Sequence, residues 1–130
     1  MRRLIKPLLL KLNQLIRQLE RQLMQVAAQA DVEHDIRRCR AIPGVGPLTA
    51  TALVMASLRG TFTNSDAFIA FLGLDVRVKE SGTYSGRRKL TKQGDPELRR
   101  LLHTAAMAAS RQAAWKPFYQ RHLARGLKPT

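Results

Sequence analysis

Residues 42–58, IPGVGPLTATALVMASL, decide how this chain folds. Gly44-Val45-Gly46 makes a tight turn. Pro47 fits the first position of a helix, where its missing N–H leaves no bond unmade, and an apolar helix follows to about Leu58. Upstream, residues 31–41 continue or restart a helix that must stop at Pro43. Two helices joined through Gly-x-Gly give the pattern of a helix-hairpin-helix. Such a turn exposes backbone N–H groups at a helix N-terminus, a natural seat for phosphate, which makes Gly44 and Gly46 candidate nucleic-acid contacts. A plain turn between two packed helices needs much the same residues, so both readings stand.

Toward the N-terminus, Leu8, Leu12, Leu15, Leu19, Leu23 and Val26 recur at steps of four and three and share one helical stripe. Arg17, Gln18, Arg21 and Gln22 take the other side. Pro7 suits a first turn and marks the expected start of this helix. The stripe predicts either a coiled-coil pairing with another helix or an arm folded back on its own domain; Leu9 and Ile16 widen it beyond a strict seam. Residues 1–40 are therefore expected as a helical connector and residues 41–130 as a compact helical domain.

Toward the C-terminus, Gly60 suits a helix cap, and Asn64 or Ser65 can start the next helix, SDAFIAFLGL, ending at Gly73. Phe68, Phe71 and Leu72 share its core face. Residues 75–92 lack helical periodicity and read as an exposed loop, with a short hairpin through VRVKES. Asp95-Pro96-Glu97 starts a last helix, with Asp95 as cap, running to about Ala114. Its alanines at 105, 106, 108 and 109 allow close approach of another helix. Trp115, Phe118 and Tyr119 are expected against the core, and the final residues frayed. The fold class is all-α.

The composition names the partner. The chain has 130 residues, a net charge of +14 and a pI near 11.4, a field that draws polyanions and binds them in a salt-dependent way. DNA or RNA fits this best; an anionic membrane surface is the rival. No stretch reaches the roughly 20 apolar residues of a membrane span. The opening MRRLIKPLLLKLNQL only faintly resembles a signal peptide, because Lys11 and Asn13 interrupt it. A soluble protein of the bacterial cytoplasm, associated with the nucleoid, is expected. Cys39 stands alone, which rules out an internal disulfide.

The charge is densest in residues 80–102, ESGTYSGRRKLTKQGDPELRRLL, where two Ser-Gly pairs sit beside a basic run. The chain's nine acidic residues are scattered, and His34, His103 and His122 lack zinc-ligand spacing, which argues against a two-metal nuclease or a metal site within this chain. A Ser-His-Asp hydrolase lacks its strand-turn-helix setting. What remains is a hydroxyl, Ser81 or Ser85, that could displace a phosphodiester whose phosphate is clamped by guanidinium forks. Residue types alone favour the plainer reading of turn serines beside a basic binding face.

The series IPGVGPLTATAL, FTNSDAFIAFLGL, SG and RRKLTKQGDPELRRLLHTAAMAA resembles the C-terminal domain of the IS one-ten family of insertion-sequence transposases, which includes the Piv-type DNA invertases. The resemblance spans residues 41–115. It implies that Ser81, in the family's SG position, is a nucleophile in DNA strand cleavage and exchange. It implies phosphate-holding roles for Lys79, Arg87, Arg88, Lys89, Lys92, Arg99 and Arg100, of which Lys92 and Arg99 match the motif directly with Gly94 and Leu98. It further implies a structured guide RNA as a second partner, a homo-oligomer formed through the N-terminal helix, and a separate acidic RuvC-like domain holding a divalent metal such as magnesium. That domain is not in this sequence, so a truncated transposase is expected, binding nucleic acid without cutting it alone. Asp75 departs from the small residue or proline usual after Gly-Leu. Two other classes remain beside this one, a non-catalytic nucleic-acid-binding module and an assembly module driven by the leucine stripe.

Overall fold

The computed structural model describes residues 2–77, 80–81, 84–85 and 89–128, with the backbone alone at 2–4, 80–81 and 84–85. Along the chain run α1 (Arg2–Gln29), α2 (Glu33–Arg40), α3 (Pro47–Ser57), α4 (Ser65–Phe71), β1 (Val76–Arg77), β2 (Glu80–Ser81), β3 (Tyr84–Ser85), β4 (Lys89–Leu90), α5 (Pro96–Ser110) and α6 (Lys116–Ala124). The architecture is helical, as the sequence predicts, with strand pairing among the described residues confined to the segment between α4 and α5.

A helix without a polar stripe is buried from more than one side, and α3 occupies that position. Ala50 and Val54 join Ala27 of α1 and Ile36 of α2 in one buried cluster, with Met24, Val32, Cys39 and Val45 packed around it. Ala56 joins Leu72 and Leu98 in a second cluster, against which Ala52, Leu53, Phe68, Leu74 and Leu102 pack. The α3 helix thus bridges α1–α2 on one side and α4–α5 on the other.

The first helix starts before the expected point. Pro7 lies inside α1 rather than at its beginning. The proline forgoes a single ladder bond, to the Arg3 carbonyl, close to a terminus whose first amides are unpaired in any case. The break after α1 is a restart. Asp31 adopts φ 55°, and its amide and that of Val32 donate to Ala28 and Ala27 at 3.2 and 3.1 Å, closing the helix as a Schellman motif. A short polar side chain tolerates that left-handed conformation better than most. Only the last turns of α1 pack on the body. Residues 5–19 are exposed throughout, and Met24 and Ala27, rather than Val26, face the core. The arm does not fold back on its own domain.

Gly60 does not adopt the left-handed backbone of a helix cap; α3 closes through Leu58 in the right-handed region. Gly73 takes the capping role for α4, at φ 69°, with its amide donating to Ala70 at 2.9 Å and that of Leu74 to Ile69 at 3.1 Å. At the other end of α4, the Asn64 side chain accepts from the Ala67 amide at 2.8 Å, which decides between the two candidate caps. Asn64→Ala is expected to lower stability by about 1 kcal/mol and Ser65→Ala by much less; urea unfolding of the two variants distinguishes them.

The last helix ends earlier than its alanine-rich sequence suggests. α5 stops at Ser110, and α6 starts anew at Lys116. A continuous helix would meet Pro117, which has no N–H and would press on the Ala113 carbonyl. Instead Pro117 sits in the first turn of α6, where it is harmless. Trp115 and Phe118 do not enter the core; at 39% and 49% exposure they border an apolar cleft with Ile42, Leu53 and Ala109. The end is not frayed at residues 125–127, where Gly126 and Leu127 close α6 by donating to Leu123 and His122 at 2.9 and 3.1 Å.

Candidate nucleic-acid interface

The segment between α4 and α5 is a ribbon closed at its base by two glycines. A Cβ on Gly73 would stand 2.6 Å from the Gly94 nitrogen, and one on Gly94 would stand 2.5 Å from the Leu72 carbonyl carbon. The end of α4 and the entry to α5 therefore cross at a distance that no side chain permits. From that crossing the two arms pair upward. Lys92 N–H donates to Gly73 at 3.1 Å and Thr91 N–H to Asp75 at 3.0 Å. The Thr91 hydroxyl donates to the Asp75 carboxylate.

Val76 then faces Leu90, and Arg77 faces Lys89, in antiparallel register. Further out, Glu80 pairs with Ser85 and Ser81 with Tyr84. The expected hairpin through VRVKES is thus corrected. Val76 and Arg77 pair with β4 across the whole segment, because the glycine crossing sets the register from below, and β2 pairs with β3 further out. Asp75 is a stem residue of this ribbon.

The backbone places Ser81 in β2 across from Tyr84, and Ser85 in β3 across from Glu80. Lys79, Arg87 and Arg88 lie outside the described residues. Lys89 and Lys92 are exposed on the ribbon's return arm, with no ion pair among the described residues. Lys92 holds φ 56°, a left-handed conformation uncommon for a long side chain, at the point where the ribbon enters the crossing. Arg99 and Arg100 are differently engaged. Arg99, half-buried, donates from Nη1 to the Gly94 carbonyl and braces the crossing. Arg100 forms a two-pronged contact with Glu97, Nε to Oε2 at 2.7 Å and Nη2 to Oε1 at 2.5 Å. Hydrogen bonding to Arg100 holds the Glu97 carboxyl below its usual range. Both groups are exposed, so the pair adds little stability, but Arg100 must leave Glu97 to grip a phosphate.

The local sequence explains how α5 carries this base. Asp95 accepts from the Glu97 amide at 2.8 Å, and Pro96 occupies the first turn, as its sequence predicts.

The α2–α3 hairpin turns at Ile42–Val45, with Val45 N–H donating to Ile42 at 3.1 Å and Gly44 at φ 96° after Pro43, the signature of a type II turn. Its two glycines differ. A Cβ on Gly44 would meet the Ala105 carbonyl oxygen at 2.6 Å and the Ala109 nitrogen at 2.7 Å, so the turn is seated on the alanine face of α5. Gly46 has open space where its Cβ would be and stands as the N-terminal cap residue of α3. Cys39 packs at the edge of the first core cluster, where burial first and Asp35 second raise its thiol pKa. Among the described residues no three His, Cys, Asp or Glu side chains gather as a metal-holding group.

One basic feature was not singled out in the sequence. Arg17 and Arg21 of α1 meet Arg40, the last residue of α2, around a crevice of about 570 Å³ beside Pro47. The pair at i, i+4 was visible on the polar face of α1. The approach of Arg40 depends on the α1–α2 restart at Asp31, which periodicity did not decide.

Comparison with known proteins places these features. Residues 36–120 match the sequence profile described as the transposase IS116/IS110/IS902 family. The chain is 34% identical over 122 residues to a "Probable family 20 transposase" of Pseudomonas aeruginosa, an alignment covering 85% of this chain and 36% of that protein. The chain spans about a third of the length of this curated relative.

Proposed function

The chain belongs to the IS116/IS110/IS902 transposase family, and from that premise we propose that it is the serine-bearing helical portion of a DNA transposase. The observation that carries the reading is the ribbon between α4 and α5. Its base is fixed by the Gly73–Gly94 crossing, its strands set the SG-motif Ser81 across from Tyr84, and Lys89 and Lys92 stand on the return arm without an ion pair among the described residues.

In this reading the Ser81 oxygen bonds to phosphorus while the bond from phosphorus to a sugar oxygen breaks, and the hydroxyl proton ends on the released sugar oxygen. Lys89 and Lys92, joined by Lys79, Arg87 and Arg88 from the same loop, hold the phosphate and offset its developing charge. Guanidinium forks suit that task because they bind phosphate oxygens in pairs. Arg99 acts through the Gly94 carbonyl as a brace, and Arg100 is available to phosphate after exchanging Glu97. The open Gly46 end of the hairpin offers a further approach to the backbone of DNA, with Gly44 fixing the hairpin on α5.

The family also implies a divalent metal. Among the described residues no three His, Cys, Asp or Glu side chains gather to hold one, and in this reading the metal sits in a separate acidic portion of a full-length protein. A structured guide RNA and a cytoplasmic, nucleoid-associated setting complete the proposal. Among the described residues no helix is long and apolar enough to cross a membrane.

The deciding experiment compares element excision by a full-length family member carrying this sequence with that of its Ser81→Ala and Ser85→Ala variants. Loss in Ser81→Ala alone supports a nucleophile. Unchanged excision in both would reduce the ribbon to a non-catalytic nucleic-acid-binding element.

The exposed leucine stripe supports an oligomer built through α1. Leu8, Leu12, Leu15 and Leu19 are 59%, 47%, 48% and 63% exposed, at coiled-coil spacing, and their occupant in this reading is the α1 of a second copy. Sedimentation of the chain is expected to show a mass that rises with concentration. Leu12→Lys with Leu19→Lys is expected to weaken that association by at least about tenfold, at least about 1.4 kcal/mol, with no loss of the helical circular dichroism of the body. A mass independent of concentration in the parent chain would count against it.

A further inference from the structure

We propose that the crevice between α1, α2 and the start of α3 is a second seat for a phosphodiester backbone, held by Arg17, Arg21 and Arg40. The proposal rests on the nucleic-acid reading above but uses none of the ribbon. The crevice, about 570 Å³, is lined by residues of α1 and α2 together with Pro47, whereas the ribbon stands on the ends of α4 and α5.

The convergence of charges on one hollow points to a ligand. Three other arginines meet carboxylates, whereas Arg59, Arg77, Arg111, Arg121 and Arg125 stand without an ion pair among the described residues. Arg37 meets Glu33 at 2.6 Å, Arg38 lies 3.9 Å from Asp35, and Arg100 grips Glu97. Arg17, Arg21 and Arg40 have no such partner among the described residues, although all three border one hollow. Two carboxylates share that lining, and one of them, Glu33, is already taken by Arg37. Three guanidinium groups therefore face a single unpaired carboxylate, Glu20.

Arg17 and Arg21 follow each other at i, i+4, about 6 Å along the helix axis, and Arg40 closes the hollow from the neighbouring helix. Guanidinium forks arranged on two sides of a concave surface suit the oxygens of a phosphodiester better than those of a flat carboxylate patch. Because the crevice and the ribbon share no residue, their contributions to binding are expected to add.

The test measures anisotropy of labelled single-stranded and duplex oligonucleotides with this chain over a range of salt concentrations. Arg17→Gln/Arg21→Gln/Arg40→Gln is expected to bind about tenfold or more weakly near 0.1 M salt, with a log–log salt slope shallower by about 2. The strand form that loses more identifies the ligand. Glu20→Gln is expected to bind a few-fold more tightly, an opposite sign that no unfolding could produce. Arg59→Gln/Arg111→Gln/Arg125→Gln, three exposed charges outside the crevice, serves as the control for net charge.

The proposal is overturned if the parent chain binds and the crevice triple variant, folded by circular dichroism, matches Arg59→Gln/Arg111→Gln/Arg125→Gln in affinity and slope. The crevice would then suit an acidic protein surface instead. Absence of any binding by the parent chain would remove the nucleic-acid reading, and this proposal with it.

Discussion

Gly94→Ala is expected to destabilise the chain by about 3 kcal/mol, a fall in melting temperature on the order of 10 °C for a domain of this size. Two backbones meet at this position. The added methyl would stand 2.5 Å from the Phe71 carbonyl oxygen and 2.6 Å from the Leu72 carbonyl oxygen. Those atoms belong to the C-terminal cap of α4 and cannot rotate away as a side chain would. Relief requires α4 to part from the start of α5, which opens the second core cluster at Leu72 and Leu98 and withdraws the support of Arg99.

Gly73→Ala adds a left-handed backbone to a comparable clash and is expected to behave at least as badly. Gly46→Ala has open space and supplies the control. Thermal unfolding followed at 222 nm checks all three. An unchanged midpoint for Gly94→Ala would mean that the crossing is looser than described.

Ser81→Ala in a full-length family member carrying this sequence is expected to abolish element excision, by at least about 10³-fold, while leaving nucleic-acid binding within about twofold of the parent. The two measurements separate because the hydroxyl adds no charge to the phosphate field, whereas a nucleophile has no substitute when its oxygen is removed. Ser85→Ala is expected to excise normally. It shares the ribbon and the Ser-Gly dipeptide, but it pairs with Glu80 on the opposite strand, and the proposed nucleophile is Ser81. Equal losses in both variants would indicate that the ribbon had been disturbed.

Local chemistry carried much of the fold into the sequence. Asp95 with Pro96, and Asn64 ahead of SDAFIAF, mark helix starts because their side-chain oxygens have one nearby use, the free amides of a first turn. The apolar run after Pro47 was legible as a helix because a proline in the first turn leaves no N–H unbonded. Features that depended on distant partners were not. Gly60 and Gly73 both follow apolar helices, and only the approach of Gly94 from 21 residues downstream distinguishes them. The pairing of Val76 and Arg77 with β4 follows from that same crossing rather than from alternation in VRVKES.

The second break, between α5 and α6, was present in the sequence as Pro117 and was obscured by the helix-forming alanines before it. At the candidate site the motif gave Ser81 and the basic run, but not the division of labour among the cations. Arg99 and Arg100 look alike in sequence. One is held by a carbonyl of the crossing and the other by Glu97, while Lys89 and Lys92 stay unpaired among the described residues.

The covalent link is the central claim, and it can be weighed directly. A full-length family member carrying this sequence would be mixed with DNA bearing its element ends, stopped in denaturant, and digested with protease and nuclease for peptide mass analysis. A nucleotide mass on Ser81, absent from Ser85, is the expected result. Strand cleavage that proceeds with the Ser81 peptide unmodified, or with the nucleotide on another residue, would contradict it.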